Sequence, residues 1–213
     1  MREQYHSLVP LARHFKARVL RLILLVRVLP APATAESDRL VAYATIEAVN
    51  AWASFSRAFY ISCALRAYTA SGTRVSTAVV GMKTPADAVK VAMAKLKKSF
   101  KGSVIARHNE PAWHRVNNLI TLVQHLQASN MNVVVAAFGY NTKAFEHLPT
   151  LRHFFAHRNR VTRADCSKVA ASIPVPHASR PADVLLHRDY AKPMNVLAEW
   201  MTDMTVVADK LVR

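Results

Sequence analysis

From Arg39 to Ala70 the chain reads RLVAYATIEAVNAWASFSRAFYISCALRAYTA, with neither a glycine nor a proline. Such a stretch offers no local breaker, and its alanine-rich composition favours one long helix. Ser37 or Asp38 is the expected N-cap, and the Ser71–Gly72 turn is the expected end. The whole chain has only 4 glycines in 213 residues. Abundant Ala, Leu, Arg and Lys extend the helical reading to the rest, and the predicted class is all-α. At 52% hydrophobic residues, the chain has material for a real core.

Residues 8–29 are predicted as a first helix, basic on one side through Arg13, Arg18 and Arg21. The prolines and small residues of PAPATAESD end it. TPADAVKVAMAKLKK has the form of a capped helix, with Thr84 as N-cap, Pro85 at the first position and Lys97–Lys98 in the last turn. EPAWHRVNNLITLVQHLQAS is amphipathic, with Trp113, Val116, Leu119, Ile120, Val123 and Leu126 on its apolar side. MNVVVAAFGYN reads equally as a short strand, a buried loop or a helical turn. A helix over roughly 144–160, a short one near 163–172 and one or two helices over about 181–212 complete the pattern.

Against 13 acidic residues stand 29 Lys and Arg, a formal charge of +16. That surplus favours a polyanionic partner, nucleic acid first and an acidic membrane second. Cys63 and Cys166 lie far apart in alanine-rich contexts, which fits buried free thiols and asks for no oxidising compartment. VLRLILLVRVLPAPATA has some features of a leader peptide, but Arg21 and Arg27 interrupt its apolar run. That run is too short to span a bilayer, so a packing helix and a cytoplasmic location are expected, with no membrane partner.

The segment LRHFFAHRNR (151–160) sets His153 and His157 beside Arg152, Arg158 and Arg160. An Arg, a polar residue, three more residues and a His near a helix end resemble the signature of HEPN domains. EAVNAWASFSRAFYISCALRA (47–67) is similar to the early long helix of a stand-alone bacterial HEPN group. RPADVLLHRDYAKPMNVLAEWMTDMTVVADKLV (180–212) is similar to that group's closing helices. The resemblance covers the chain from about residue 37 onward. It implies a HEPN-like helical bundle over 37–213, with 1–36 added as a basic N-terminal helix and Pro-rich linker. It also implies a homodimer and a metal-independent endoribonuclease acting as a toxin or in phage defence, with an antitoxin or neutralising protein as a further partner.

The residue types suit that chemistry. A histidine near its ordinary pKa of about 6.5 serves as base or acid at neutral pH. Arginine presents a permanently charged fork to phosphate oxygens. Arg152, His157 and His153 are therefore the candidate catalytic residues, and Arg158, Arg160 and Asn159 the candidate RNA-binding ones. On an ideal helix Arg152 and His157 are offset by roughly 140°, whereas His153 and His157 share a face. A second protomer would complete such a site, with Trp52, Phe55, Phe59 or Trp200 as the expected apolar contacts of the pair.

On the long helix Glu47, Asn50, Ser54 and Arg57 form one polar stripe. By the resemblance, Glu47, Asn50 and Arg57 support the active cleft; by periodicity alone the stripe is equally a solvated face. His153 and His157 also have zinc-ligand spacing, but no carboxylate or third histidine lies in their segment. No metal or cofactor is expected. The cluster KLKKSFK (Lys95–Lys101) fits an RNA backbone and a solvated helix end equally well. A catalytically silent HEPN module that binds RNA or a partner protein is the competing reading. A DNA-binding regulator lacks support, since no helix-turn-helix pattern stands out.

Overall fold

The computed structural model describes residues 5–96, 107–140, 142–173, 175, 180–189 and 191–213. Among them the regular structure is helical throughout: α1 (Val9–Arg27), α2 (Ala35–Ala64), α3 (Pro85–Leu96), α4 (Val116–His125), α5 (Met131–Phe138), α6 (Ala144–His157), α7 (Arg160–Ala171), α8 (Pro181–Leu186) and α9 (Val196–Leu211), with a 3-10 helix at Arg107–Asn109. The protein is all-α. Lys97, Lys98 and Lys101 of the basic cluster lie outside the described residues, as does the expected last turn of α3. The chain divides into two compact units, one of Met1–Phe15, Trp52–Asn141 and Val207–Arg213, the other of Lys16–Ala51 and Thr142–Val206.

In the first unit a file of aromatic rings forms the core. Phe15 meets Trp52 edge-on at 5.7 Å and Phe55 at 5.2 Å, and Phe55 stacks on Phe59 at 6.1 Å. All four side chains are buried. This corrects one expectation: Trp52, Phe55 and Phe59 fill the protomer's own interior and are not surface contacts for a second copy. Trp200, in the other unit, is likewise buried. Large apolar side chains that do reach solvent include Leu20, Leu24 and Val28, spaced four apart along and just beyond α1.

Helix α2 starts and stops earlier than predicted. Thr34, not Ser37 or Asp38, is the cap: its hydroxyl accepts the Ser37 N–H at 3.1 Å while the Ser37 hydroxyl accepts the Thr34 N–H at 2.7 Å. The helix ends at Ala64 because Arg66 turns left-handed (φ 63°), and Ala67 N–H returns to the Ser62 carbonyl. Residues 67–69 then bond outside the helix: Tyr68 donates to the His6 carbonyl and Thr69 to the Thr73 carbonyl. Gly72 (φ 78°) serves that later turn instead.

In the same unit α3 packs on α4, and α4 on α5. Thr84 caps α3 as predicted, and the structure adds a reciprocal bond: Asp87 N–H donates to the Thr84 hydroxyl and Thr84 N–H to the Asp87 carboxylate. Helix α4 begins only at Val116, because the preceding residues make a different structure. Glu110, almost wholly buried, accepts a bidentate pair from Arg57 (2.6 and 2.9 Å) and a third bond from Trp113 Nε1 at 2.8 Å. Val116 and Ile120, expected on the apolar side, are half-buried, while Leu122 is fully enclosed. MNVVVAAF resolves to the helix α5.

Burial pushes the Glu110 carboxyl upward, but the bonds from Arg57 and Trp113 and the Arg57 charge outweigh it and hold the group below the ordinary glutamate range. A lowered folded-state value means stability that is present above the unfolded-chain pKa of about 4.3 and lost as pH falls through the folded one. The melting temperature is expected to drop on acidification in that window, and Glu110→Gln to flatten the drop. Parallel circular-dichroism melts of the two proteins check this.

In the second unit α6 packs on α7 and α7 on α8. Two buried or half-buried polar residues fasten its loops. Asn195 caps α9 by accepting the Ala198 N–H at 3.0 Å, and its amide donates to the Val26 carbonyl at 2.9 Å. Asp183 accepts the Ala33 N–H at 2.8 Å and is paired with Arg180, which also donates to the Ala33 carbonyl. The proline-rich segment is thereby bonded at Ala33 to the start of α8. Cys63 and Cys166 are buried free thiols; burial pushes them up to about 12 and about 11, so both stay protonated at neutral pH.

Candidate polyanion-binding site

Helix α6 buries His147, Leu148, Leu151 and Phe155, the three-and-four spacing of one inward face. His153 and His157 therefore point outward. Both are exposed, and their rings meet edge to face at 4.7 Å, as the shared face predicts. Arg152 is placed differently. It is half-buried, and its Nε is enclosed without a hydrogen-bond partner. His147, on the inward face, lies 5.5 Å from the Trp200 ring with Nε2 at 3.4 Å from the Ser172 hydroxyl. Desolvation lowers its pKa, with Lys143 adding to the effect and Glu146 opposing it.

The two helices predicted over roughly 144–160 and 163–172 are both present, but the first stops at His157, and a corner at Arg158 and Asn159 separates it from the second. Arg158 ends α6 in the left-handed region (φ 41°, ψ 45°). Asn159 then caps α7, its side-chain oxygen accepting the Thr162 N–H at 2.9 Å while Thr162 Oγ1 accepts the Asn159 N–H at 3.1 Å. Helix α7 therefore starts at Arg160 rather than near 163. The physical reason is the strength of the Asn159–Thr162 capping box, which outcompetes continuation of α6.

That corner opens onto a cleft of about 770 Å³. Five arginines line it: Arg39 from α2, Arg158 at the corner, Arg160 and Arg163 from the first turn of α7, and Arg180 ahead of α8. Asp38 is the one carboxylate among the lining residues, and it binds Arg158 at 2.9 Å. Arg180 is committed to Asp183 and the Ala33 carbonyl. Among the described residues, the Arg39, Arg160 and Arg163 side chains have no carboxylate or hydrogen-bond partner. Five arginines against one carboxylate in the lining give the cleft a surplus of positive charge, carried chiefly by Arg39, Arg160 and Arg163.

The cleft contains three of the residues singled out in the sequence, Arg158, Asn159 and Arg160. It does not take in Arg152, His153 or His157, which are not among its lining residues. Glu47 is held by Arg18 and Asn50, and the Arg18 bond chiefly sets its carboxyl below the usual range, against a smaller effect of burial. Arg57 is committed to Glu110. None of Glu47, Asn50 and Arg57 lines the cleft. Sequence reasoning missed Arg39, Arg163, Arg180 and Asp38, whose only signal was the overall excess of positive charge.

Among the described residues no three His, Cys, Asp or Glu side chains gather as a metal site, and no helix is long and apolar enough to cross a membrane. No family model matches the chain, and no curated protein or solved structure matches it either. The resemblance to HEPN domains accordingly rests on the three stretches quoted above.

Proposed function

We propose that this chain is a metal-independent endoribonuclease of HEPN type. The observation that carries the reading is the exposed His153–His157 pair at the end of α6, next in sequence to Arg158, which lines the arginine cleft. One imidazole takes the proton of a ribose 2′-OH, whose oxygen attacks the adjacent phosphorus. The P–O5′ bond breaks, and the other imidazole, in its protonated form, gives a proton to the departing 5′-oxygen. Arg158, Asn159 and Arg160 hold neighbouring phosphates. By the resemblance, the enzyme works as a homodimer with two 151–160 segments at one cleft, as a toxin or phage-defence effector restrained by an antitoxin. With the large aromatics enclosed, such a pairing would draw on exposed apolar side chains such as Leu20, Leu24 and Val28.

Cleavage of mixed RNA is expected to persist in EDTA and to leave 2′,3′-cyclic phosphate and 5′-hydroxyl ends, read by end-labelling. Activity abolished by EDTA and restored by a divalent ion would sink the mechanism. A second reading has its own support: Arg152 Nε is enclosed, and neither it nor the histidines line the cleft. On that reading the chain is a silent module that binds RNA in the arginine cleft, and the same assay gives salt-dependent binding without product.

A further inference from the structure

The arginine cleft is a half-open concavity, and its size falls within the roughly 300–1,000 Å³ of clefts and cavities that take a small ligand. Surfaces that follow a nucleic-acid strand spread their cations along a groove. Here five guanidinium groups from three separate segments line a single cavity. We propose that the cleft receives a terminal di- or triphosphate group, carried by a free nucleotide or by the 5′ end of an RNA. The inference deepens the RNA reading above and rests on the same cleft.

Charge density is the first reason. An internal phosphate of RNA carries a single negative charge, whereas a terminal phosphate carries about −1.5 to −2 near neutrality, and a polyphosphate adds the charges of its inner groups at the same place. A compact cluster of arginines matches the concentrated form better than the dispersed one. The second reason is the state of the donors. Arg39, Arg160 and Arg163 bring uncommitted planar forks of the geometry that takes phosphate oxygens in pairs. Arg158 and Arg180, already anchored by carboxylates, complete the arginine lining. Arg160 also opens the twelve-residue helix α7, whose dipole adds to the field of the side chains.

The rest of the lining agrees with this ligand. Phe154 and Pro181 supply apolar surface against which a ribose or base can lie. Asp38 opposes an anion, so an entering phosphate takes over its bond to Arg158.

The test uses the full chain and two fluorescent 2′-O-methyl RNA oligonucleotides of one sequence, which have no free 2′-OH to attack. One carries a 5′-triphosphate and the other a 5′-hydroxyl, and affinity is read by anisotropy at physiological salt. The triphosphate strand should bind at least about tenfold more tightly, the scale of one or two added charge-assisted hydrogen bonds. Arg39→Ala with Arg163→Ala should erase that preference, and Asp38→Asn should enlarge it. Equal affinity for the two strands overturns the proposal, as does a preference untouched in the double variant. ATP and tripolyphosphate as competitors separate the sources. Displacement by either supports recognition of the phosphate group itself, and resistance to both alongside the triphosphate preference supports an RNA end. Failure of RNA binding altogether shows separately, in the 5′-hydroxyl strand. Should the double variant melt early, Asp38→Asn and the strand comparison still decide.

Discussion

Replacing His157 by alanine is expected to slow RNA cleavage by about 10²–10⁴-fold, the usual contribution of a positioned proton-transfer group. RNA affinity should stay near the parent value, because the arginine cleft is untouched. The ring is exposed and its contact is with His153, so the substitution leaves the core intact. Single-turnover cleavage and anisotropy on the same preparation separate the two effects. His153→Ala should act in the same direction if both rings move protons. Parent-like cleavage by the His157→Ala protein would remove the histidine pair from the mechanism and leave the binding module as the better account.

Phe59→Ala should destabilise the protein by about 3–5 kcal/mol, the range for deleting a buried phenylalanine ring. Phe59 is wholly enclosed and stacks on Phe55, so the cavity cannot fill with solvent-facing neighbours. Against a typical total of about 5–15 kcal/mol this is a large fraction. For a chain of this size it corresponds to a fall of roughly 6–20 °C in melting temperature. The loss should be independent of protein concentration, since the ring supports one protomer's interior. A variant that melts like the parent but shifts a concentration-dependent association would restore the surface-contact role that burial argues against.

The class of fold was legible because it follows from local terms. Glycine-poor, alanine-rich segments and the Thr84 N-cap with Pro85 after it declare helices without tertiary help. Helix ends were harder, for one recurring reason. The usual sign of a left-handed stop is glycine, but this chain uses Arg66, Gln127 and Arg158 at such positions (φ 63°, 48° and 41°). The nearest glycine signal for the end of α2 is therefore Gly72, past the true stop at Ala64, and the sequence carries no stop signal at Arg158. At the site, the shared face of His153 and His157 follows from helical periodicity alone. The gathering of Arg39, Arg163 and Arg180 with Asp38 does not, because it depends on three segments meeting in space. The fate of the polar stripe was equally hidden. Whether Glu47 and Arg57 are offered to a ligand depends on Arg18 and Glu110, distant in sequence and close in the fold.

The corner at Arg158 joins two properties in one residue. Its backbone occupies a region where glycine rests without steric penalty, so keeping an arginine there costs about 1 kcal/mol or more in conformational energy. Its side chain supplies charge to the cleft and holds Asp38. A substitution at this position therefore alters backbone preference and electrostatics together: glycine relaxes the turn while stripping the charge, and lysine keeps the charge while losing the planar fork. Arg163, on regular helix in the same lining, changes charge alone. The two arginines are thus unequal as levers on the site, and selection acting on Arg158 weighs foldability against ligand affinity in a way that selection on Arg163 does not.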